Sequence, residues 1–215
     1  MIKNLILEHK WGYYNYNVNH LKLNNIPNKF NPLKNYLEEM FVNCPNEYFN
    51  SGPRCSGLKF KLNNLRIHQI SGHEISDLAT QAVKINRERF KDMHPKIQVF
   101  LLENDDKTIA MEIPIWINPE ELKGFSPVFK TRLPLTGHID LLRIENDKIW
   151  IWDYKPNSIE EKYAATQVYF YTLMLSKRTK IDLENFRCGY FDQKYAYVFK
   201  PELSLINTKP LIEFL

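Results

Sequence analysis

The chain has 215 residues, 44% of them hydrophobic and 13% aromatic, which is enough to bury the core of one substantial domain. It contains no run approaching the ~20 apolar residues of a membrane helix. It also lacks a basic start followed by a long apolar stretch, so we expect an intracellular protein, in the cytoplasm or a host-cell cytoplasm, with no membrane partner. A net charge of +4, from 29 basic and 25 acidic residues, permits a nucleic acid as partner but does not require one.

The cysteine pattern does not match a metal cluster. Cys44, Cys55 and Cys188 are widely separated, odd in number and form no C-x-x-C pair, which excludes a plausible zinc set. We favour isolated thiols in a reducing compartment, and a disulfide between Cys44 and Cys55 is the open alternative.

We expect residues 1–65 to form a helical and loop appendage that packs on a core at 66–215. Apolar residues recur at helical spacing over 32–43 and predict a helix there. The following stretch, 43–57, contains two prolines and two glycines and is typical of a loop.

The core is predicted to begin with a long helix and two strands. An apolar stripe indicates a helix over 72–91, which Pro95 would stop. Strands are expected at 97–103 and 108–117, separated by the turn residues Asn104-Asp105-Asp106.

A β-hairpin is predicted next, because the apolar runs 138–144 and 149–154 flank a turn signal, Glu145-Asn146-Asp147-Lys148. If the hairpin closes symmetrically, Asp140 lies directly opposite Asp153. Their side chains would then share one face, with Cβ atoms ~4.5–5.5 Å apart.

Two aspartates facing each other among apolar residues need a compensating cation, because like charges across a strand pair are unfavourable. Lys155 lies two residues beyond Asp153 and projects from the same face. A divalent metal with oxygen ligands fits the aspartates better, which leaves Lys155 to steady a nucleophile. The pattern indicates metal-dependent hydrolysis, most naturally of phosphodiesters. The alternative is an ordinary Asp–Lys surface network on an edge hairpin.

A second helix and a last strand complete the predicted core. Ser158 and Glu161 have the spacing of a capping box, which predicts a helix over 158–177. A strand is expected near 187–199. The order helix, three strands, helix, strand indicates an α/β fold in which helices flank both faces of a central mixed sheet.

Five further residues are candidates for the same site. Gln167 and Tyr171 are four apart on the predicted helix and share a face, where they could bind a phosphate, orient the lysine or stack on a base. Glu112 interrupts an apolar strand and either reaches the aspartates or lies on an exposed edge. His73, at the start of the long helix, either completes a metal shell or caps the helix. His138 is a substrate contact or simply fills the end of the sheet.

Taken in order, these residues resemble the PD-(D/E)XK nuclease superfamily over roughly residues 73–199. The series is His73, Glu112, Gly137-His138-Ile139-Asp140, Asp153-Tyr154-Lys155 and Gln167-x-x-x-Tyr171. The branch that it resembles is the RecB-like exonucleases, which include CRISPR-associated exonucleases and phage recombination nucleases. The resemblance implies a restriction-endonuclease-like core.

The resemblance also implies a metal site. Asp140, Asp153 and His73, together with the backbone carbonyl of Tyr154, would bind Mg²⁺ or Mn²⁺. Lys155 would position or activate the attacking water.

Glu112 would match the acidic residue that the family carries on the strand before G-x-x-D. Gln167 and Tyr171 would match the family's helix motif beside the active site. Two features depart from the pattern. His73 directly follows a glycine instead of lying four residues beyond it. Cys188 is alone where some RecB-like branches carry three cysteines, so we expect no iron–sulfur cluster.

The expected function is therefore that of a metal-dependent DNA exonuclease in repair, recombination or the processing of viral or mobile-element DNA. Its partners would be single- or double-stranded DNA ends, with a homo-oligomer or a separate helicase or recombination protein as further possibilities. The alternatives are a non-catalytic nucleic-acid-binding subunit that keeps the nuclease fold, and a nuclease that acts on RNA.

Overall fold

In a computed structural model that describes residues 1–203, the chain forms one eight-stranded sheet with helices on both sides. The strand order is β1-β2-β4-β5-β6-β7-β8-β3, and every neighbouring pair is antiparallel except β6 and β7. The strands are β1 (Ile2–His9), β2 (Gly12–Asn19), β3 (His68–Ser71), β4 (Thr108–Ile117), β5 (Leu135–Glu145), β6 (Lys148–Tyr154), β7 (Phe186–Phe191) and β8 (Tyr195–Phe199). The helices are α1 (His20–Asn24), α2 (Asn31–Glu39), α3 (Asn46–Ser51), α4 (Glu74–Ile85), α5 (Met93–Asn104), α6 (Phe125–Phe129) and α7 (Ala164–Thr179).

The central strands of the sheet, β4 to β6, are buried on both faces, and alternate residues of β6 show this directly. Ile149 and Ile151 pack in one core cluster, which contains the apolar residues of α7. Trp152 and Tyr154 pack in the other, with residues of α4 and α5. Strands buried on both faces read as continuous apolar runs. The predicted α/β architecture is confirmed. No helix in residues 1–203 is long and apolar enough to cross a membrane.

The predicted hairpin register is confirmed. Glu145 pairs with Lys148 and Leu141 pairs with Trp152, so continuing the ladder by one residue sets Asp140 against Asp153. The two turn residues, Asn146 and Asp147, have φ values of 49° and 61°. Asparagine and aspartate tolerate this left-handed conformation, which a type I′ hairpin turn requires at both central positions.

The first 65 residues contain strands as well as helices and loops. β1 and β2 form a hairpin that joins the main sheet, since Asn17 and Val18 of β2 pair with β4. The helix expected over 32–43 is α2, and the expected loop at 43–57 contains α3. The division at residue 65 stays a prediction, and the last twelve residues of the predicted core, 204–215, lie outside the described chain.

The strand expected at 97–103 is wrong, because this segment lies within α5. Ile97, Phe100, Leu101 and Leu102 are all buried, since α5 packs between α4 and β4. A helix buried around most of its circumference shows no one-sided stripe. Pro95 lies in the first turn of α5, where its missing N–H costs nothing, and so it marks a helix start.

The second predicted helix begins later than expected, and the last strand is divided in two. Ser158 does not cap α7; it donates a hydrogen bond to Asp192 at 2.6 Å and begins a short 3-10 turn. Asp192 also accepts from the backbone N–H groups of Lys194 and Tyr195, at 2.7 and 2.8 Å. These bonds close the tight turn between β7 and β8, so the single strand expected near 187–199 is two strands.

Candidate active site

A narrow cleft of about 280 Å³ lies where β4, β5 and β6 meet the start of α7. Most of the predicted site residues line it: Glu112, His138, Asp140, Asp153, Lys155, Gln167 and Tyr171, together with Tyr14, Arg54, Ser56 and His94. A larger cleft of about 670 Å³ lies near β3 and β8, but of the described residues that line it only Glu202 carries a carboxylate. The smaller cleft is therefore the candidate site.

Asp140 is held in place by the neighbouring strand. The backbone N–H of Tyr154 donates to its Oδ2 at 3.0 Å. The side chain is buried, and burial raises the pKa of Asp140, although Lys155 and this backbone hydrogen bond oppose the shift. The fixed orientation of Asp140 thus follows from the hairpin register.

Asp153 begins a chain of polar contacts that ends on α7. Lys155 Nζ lies 2.6 Å from Asp153 Oδ2 and donates to Gln167 Oε1 at 3.1 Å. Gln167 Nε2 in turn lies 2.9 Å from both Asp153 Oδ1 and the Tyr171 hydroxyl. Burial raises the pKa of Asp153 to about 7, against the opposing effect of Lys155. Gln167 and Tyr171 do share one face of α7, as predicted, and this face is turned toward the cleft that contains both aspartates.

Glu112 lies in the middle of β4 with a φ of 52°, a left-handed conformation that is unusual for a non-glycine residue inside a strand. Its flanking residues pair with β5 on either side of Asp140, so the two carboxylates face each other in the register. Gln98, a buried residue of α5, donates to Glu112 Oε1 at 2.6 Å. Burial and the charge of Asp140 raise the pKa of Glu112 to about 8.

The regular alternation of side chains between the two faces of the sheet is interrupted at Glu112 and Asp140. Residues two apart on a regular strand share a face, yet Met111 packs in the core cluster of α4 and α5 whereas Ile113 packs in that of α7. Leu141 and Ile139, their partners on β5, divide between the two clusters in the same way. The irregularity therefore lies at the level of Glu112 and Asp140.

The buried carboxyl groups of Asp140 and Asp153 and the partly buried one of Glu112 all have raised pKa values, and they share the cleft with the ammonium group of Lys155 and the guanidinium group of Arg54. Mg²⁺ and Mn²⁺ prefer oxygen ligands such as carboxylates. The cleft contains three carboxyl groups and only two cationic side chains among its described residues, so the residues fit a divalent metal in both charge and chemistry. Within residues 1–203, no three acidic, histidine or cysteine side chains already converge as ligands. Each carboxylate is instead turned toward a protein donor, as described above.

Of the two histidines, His94 and not His73 lines the cleft. His73 does not line the cleft; it caps α4, where its Nδ1 accepts from the backbone N–H of Ile75 at 3.2 Å, and its ring packs near Trp152. His94 lines the cleft instead, with its Nε2 3.8 Å from Asp140 Oδ2. Burial lowers the pKa of His94, while Asp153 acts in the opposite direction.

His94 was missed because α5 was mistaken for a strand. With the helix recognised, His94 and Gln98 are four residues apart and share a face. That face contacts both Asp140 and Glu112. The helical spacing of these two polar residues is the signal that would have found them.

His138 ends a chain of two imidazole rings. Asn46 Oδ1 lies 2.9 Å from His9 Nε2, and His9 Nδ1 lies 3.0 Å from His138 Nε2. Because the amide oxygen can only accept, His9 carries its proton on Nε2 when neutral, and His138 must then donate from its own Nε2. His138 Nδ1 is left as an acceptor, buried and with no partner in the described chain. Burial lowers the pKa of both rings.

The family is shown by a comparison with known protein families. The model of the PD-(D/E)XK nuclease superfamily matches residues 65–208, which covers the strands and helix that carry both aspartates, Lys155 and Gln167. The chain belongs to the PD-(D/E)XK nuclease superfamily, and a nuclease-type function as a phosphodiester hydrolase follows from this membership. A search of curated proteins found no match.

Proposed function

We propose that the protein is a metal-dependent DNA nuclease that acts as an exonuclease. The observation that carries this proposal is that the buried Asp140 and Asp153, each adjacent to the paired residues Leu141 and Trp152 of the hairpin, line one cleft, with Lys155 Nζ 2.6 Å from Asp153. Perturbed carboxyl pKa values in a cleft are typical of active sites.

Asp140, Asp153 and the backbone carbonyl of Tyr154 are the ligands we assign to Mg²⁺ or Mn²⁺, with Glu112 beside them. We assign the role first given to His73 to His94. A divalent cation held by such oxygens lowers the pKa of a coordinated water and neutralises charge on the phosphate.

Lys155 acts as a charged donor and not as a base. Burial opposes its charge, but Asp153 and Asp140 outweigh burial and raise the pKa of Lys155 overall. The ammonium group therefore keeps its proton near neutral pH and can hold the attacking oxygen or a phosphate oxygen. Gln167 positions it through the 3.1 Å hydrogen bond.

Substrate contacts are assigned to Gln167, Tyr171 and His138, which border the carboxylates. The unpaired Nδ1 acceptor of His138 suits a hydrogen-bond donor of a nucleotide or a bound water. Exonuclease action is proposed from the RecB-like resemblance of the ordered motif series. A role at DNA ends is compatible with a homo-oligomer or a separate helicase partner inside the cell.

A second candidate is a non-catalytic nucleic-acid-binding subunit. The observation that favours it is that the carboxylates of the described chain are engaged by protein donors and do not converge as a set of metal ligands. This alternative predicts nucleic-acid binding with no cleavage under either metal.

The test is cleavage of end-labelled single- and double-stranded linear DNA, closed circular DNA and a matched RNA, with Mg²⁺, Mn²⁺ or EDTA. Wild type and Lys155→Ala are compared, and thermal melting confirms that the variant is folded. We expect metal-dependent cleavage of linear DNA by wild type alone, with the circle uncut.

Each other outcome selects a different function. A cut circle would indicate an endonuclease, and preferred cleavage of RNA would indicate a ribonuclease. Equal cleavage by Lys155→Ala would contradict the assigned site. DNA binding without cleavage in all conditions would favour the non-catalytic subunit.

A further inference from the structure

We propose that Arg54 binds a non-bridging oxygen of a nucleic-acid phosphate in the active site, an inference that rests on the proposed nuclease function. Arg54 lines the same cleft as Asp140 and Asp153. It lies before residue 65, outside the segment that the superfamily model matches. The N-terminal part of the chain would thus complete the site of the matched nuclease domain.

The backbone around Arg54 is fixed against the strand that carries Asp140. The backbone N–H of Thr136 in β5 donates to Pro53 O at 3.0 Å, and Arg54 and Thr136 form a parallel bridge. Gly52 lies so close to Pro134 that a Cβ atom would be 2.0 Å from the carbonyl oxygen. The segment cannot shift without moving the start of β5, so Arg54 is held at the cleft.

The guanidinium group of Arg54 forms no ion pair with any acidic residue that the structure describes. Its central carbon lies 5.1 Å from the centroid of the Tyr14 ring, a stacking arrangement that restricts its orientation. Within residues 1–203, no carboxylate lies within 4.0 Å of it. Its charge is nevertheless close enough to act on the pKa values of Glu112 and Asp140.

An arginine that served only to neutralise this acidic cleft would pair with a carboxylate. Within residues 1–203, Arg54 instead contacts the uncharged side chain of Tyr14 and forms no ion pair, whereas Lys155 is engaged by Asp153 and Gln167. A phosphate that enters a cleft lined by three carboxylates meets repulsion and needs a cation to offset it. The planar guanidinium fork matches two phosphate oxygens, whereas an ammonium group contacts them as a point charge.

The test compares wild type, Arg54→Gln and Arg54→Lys with the control Arg87→Gln. Arg87 is exposed and lies outside the cleft. Its substitution removes the same charge as Arg54→Gln but leaves the cleft unchanged. We expect Arg54→Gln to lower kcat/KM about tenfold to hundredfold, the effect of losing a hydrogen bond between charged groups. Arg54→Lys should lose part of this, and Arg87→Gln should stay within about twofold of wild type.

A second readout separates phosphate contact from a structural role. Binding of single-stranded DNA is measured in EDTA over a range of salt concentrations, with thermal melting as the folding control. Loss of one phosphate contact should reduce the slope of log K against log salt by about 0.7. The magnitude of this slope should be larger for Arg87→Gln than for Arg54→Gln.

Substrates with and without terminal phosphates identify which phosphate is bound. A loss of kcat/KM that is equal on both kinds of end would indicate an internal phosphodiester. A loss confined to phosphorylated ends would indicate a terminal phosphate. Both results support the proposal.

The proposal is overturned if Arg54→Gln matches Arg87→Gln in kcat/KM and in salt slope. If Arg54→Gln does not fold, Arg54→Lys decides, and a wild-type kcat/KM would overturn the proposal. If wild type cuts nothing but the slope still falls in Arg54→Gln, the nuclease function fails while the phosphate contact stands.

Discussion

Glu112 combines two unfavourable features, a left-handed backbone inside a strand and a carboxyl group whose charge is opposed by burial and by Asp140. A strained non-glycine backbone costs of order 1–3 kcal/mol, and such residues concentrate at functional sites. The rest of the fold must over-determine this conformation. Gln98 and the paired residues on both sides of Glu112 do so.

The first prediction concerns the pH dependence of stability without metal. The pKa of Glu112 is raised to about 8 in the folded protein, whereas an unfolded glutamate titrates near 4.5. Between these values the folded protein holds a proton that the unfolded chain has released. The free energy of unfolding therefore falls as the pH rises from about 4.5 to about 8.

Glu112→Gln keeps the shape and the acceptor for Gln98 but removes this titration. In EDTA at pH 8 we expect the variant to exceed wild type in stability by about 1 kcal/mol or more, with a smaller difference at pH 5. Urea unfolding at both pH values measures this. If the difference in the free energy of unfolding between the two proteins were the same at pH 5 and pH 8, the pH dependence would not come from Glu112.

The second prediction separates the two histidines. His94→Ala should weaken Mn²⁺ binding and cleavage, because His94 Nε2 lies 3.8 Å from Asp140 Oδ2. His73→Ala should leave cleavage by the folded protein unchanged and should lower stability by about 1 kcal/mol, the contribution of a helix cap. Activity loss in His73→Ala with none in His94→Ala would reverse this assignment.

At the scale of secondary-structure elements, β5 and α7 are in close contact at Gly137. A Cβ atom at this position would lie 2.3 Å from Cε1 of Tyr171, so only glycine lets the ring lie against the strand. Tyr171 in turn bonds to Gln167, which holds Asp153 and Lys155. The glycine of the G-x-x-D pattern thus sets the distance between strand and helix at the site.

The third prediction follows from this contact. Gly137→Ala should destabilise the fold by about 1–3 kcal/mol through overpacking and should reduce cleavage by displacing Tyr171. Gly57→Ala is the control, since Gly57 has open space around it and no positive φ. Denaturant unfolding and cleavage rates are measured on both variants; a neutral Gly137→Ala would contradict the described packing.

The sequence was informative where local chemistry decides the structure. The turn at Asn146 and Asp147 gives one register, and the register gives the facing aspartates. α5 could not be predicted in the same way, because its burial between α4 and the sheet arises from tertiary packing. Arg54 was missed for a related reason: no local pattern shows that its segment lies against β5.

At the scale of the whole molecule, two groups of buried charges behave in opposite ways. Arg143 is fully buried and donates to Asp105 at 2.9 Å. Burial opposes the charge of Asp105, but Arg143 more than offsets it and the pKa of Asp105 is lowered. In the cleft, the pKa values of Asp140 and Asp153 are raised. The first group is balanced within the protein, whereas the charge of the second is left to be neutralised by a bound cation or a proton.

The central claim is that Asp140 and Asp153 bind a divalent metal, and a thermal titration with Mn²⁺ tests it most directly. Wild type, Asp140→Asn and Asp153→Asn are compared with Asp182→Asn, which removes an exposed aspartate outside the cleft. At a metal concentration of 100 times Kd, binding stabilises the folded state by about 2.7 kcal/mol. For a chain of this length that amounts to about 5–10 °C in Tm. We expect this shift in wild type and Asp182→Asn and its loss in the two cleft variants. An equal shift in all four proteins, or none in wild type, would contradict the claim.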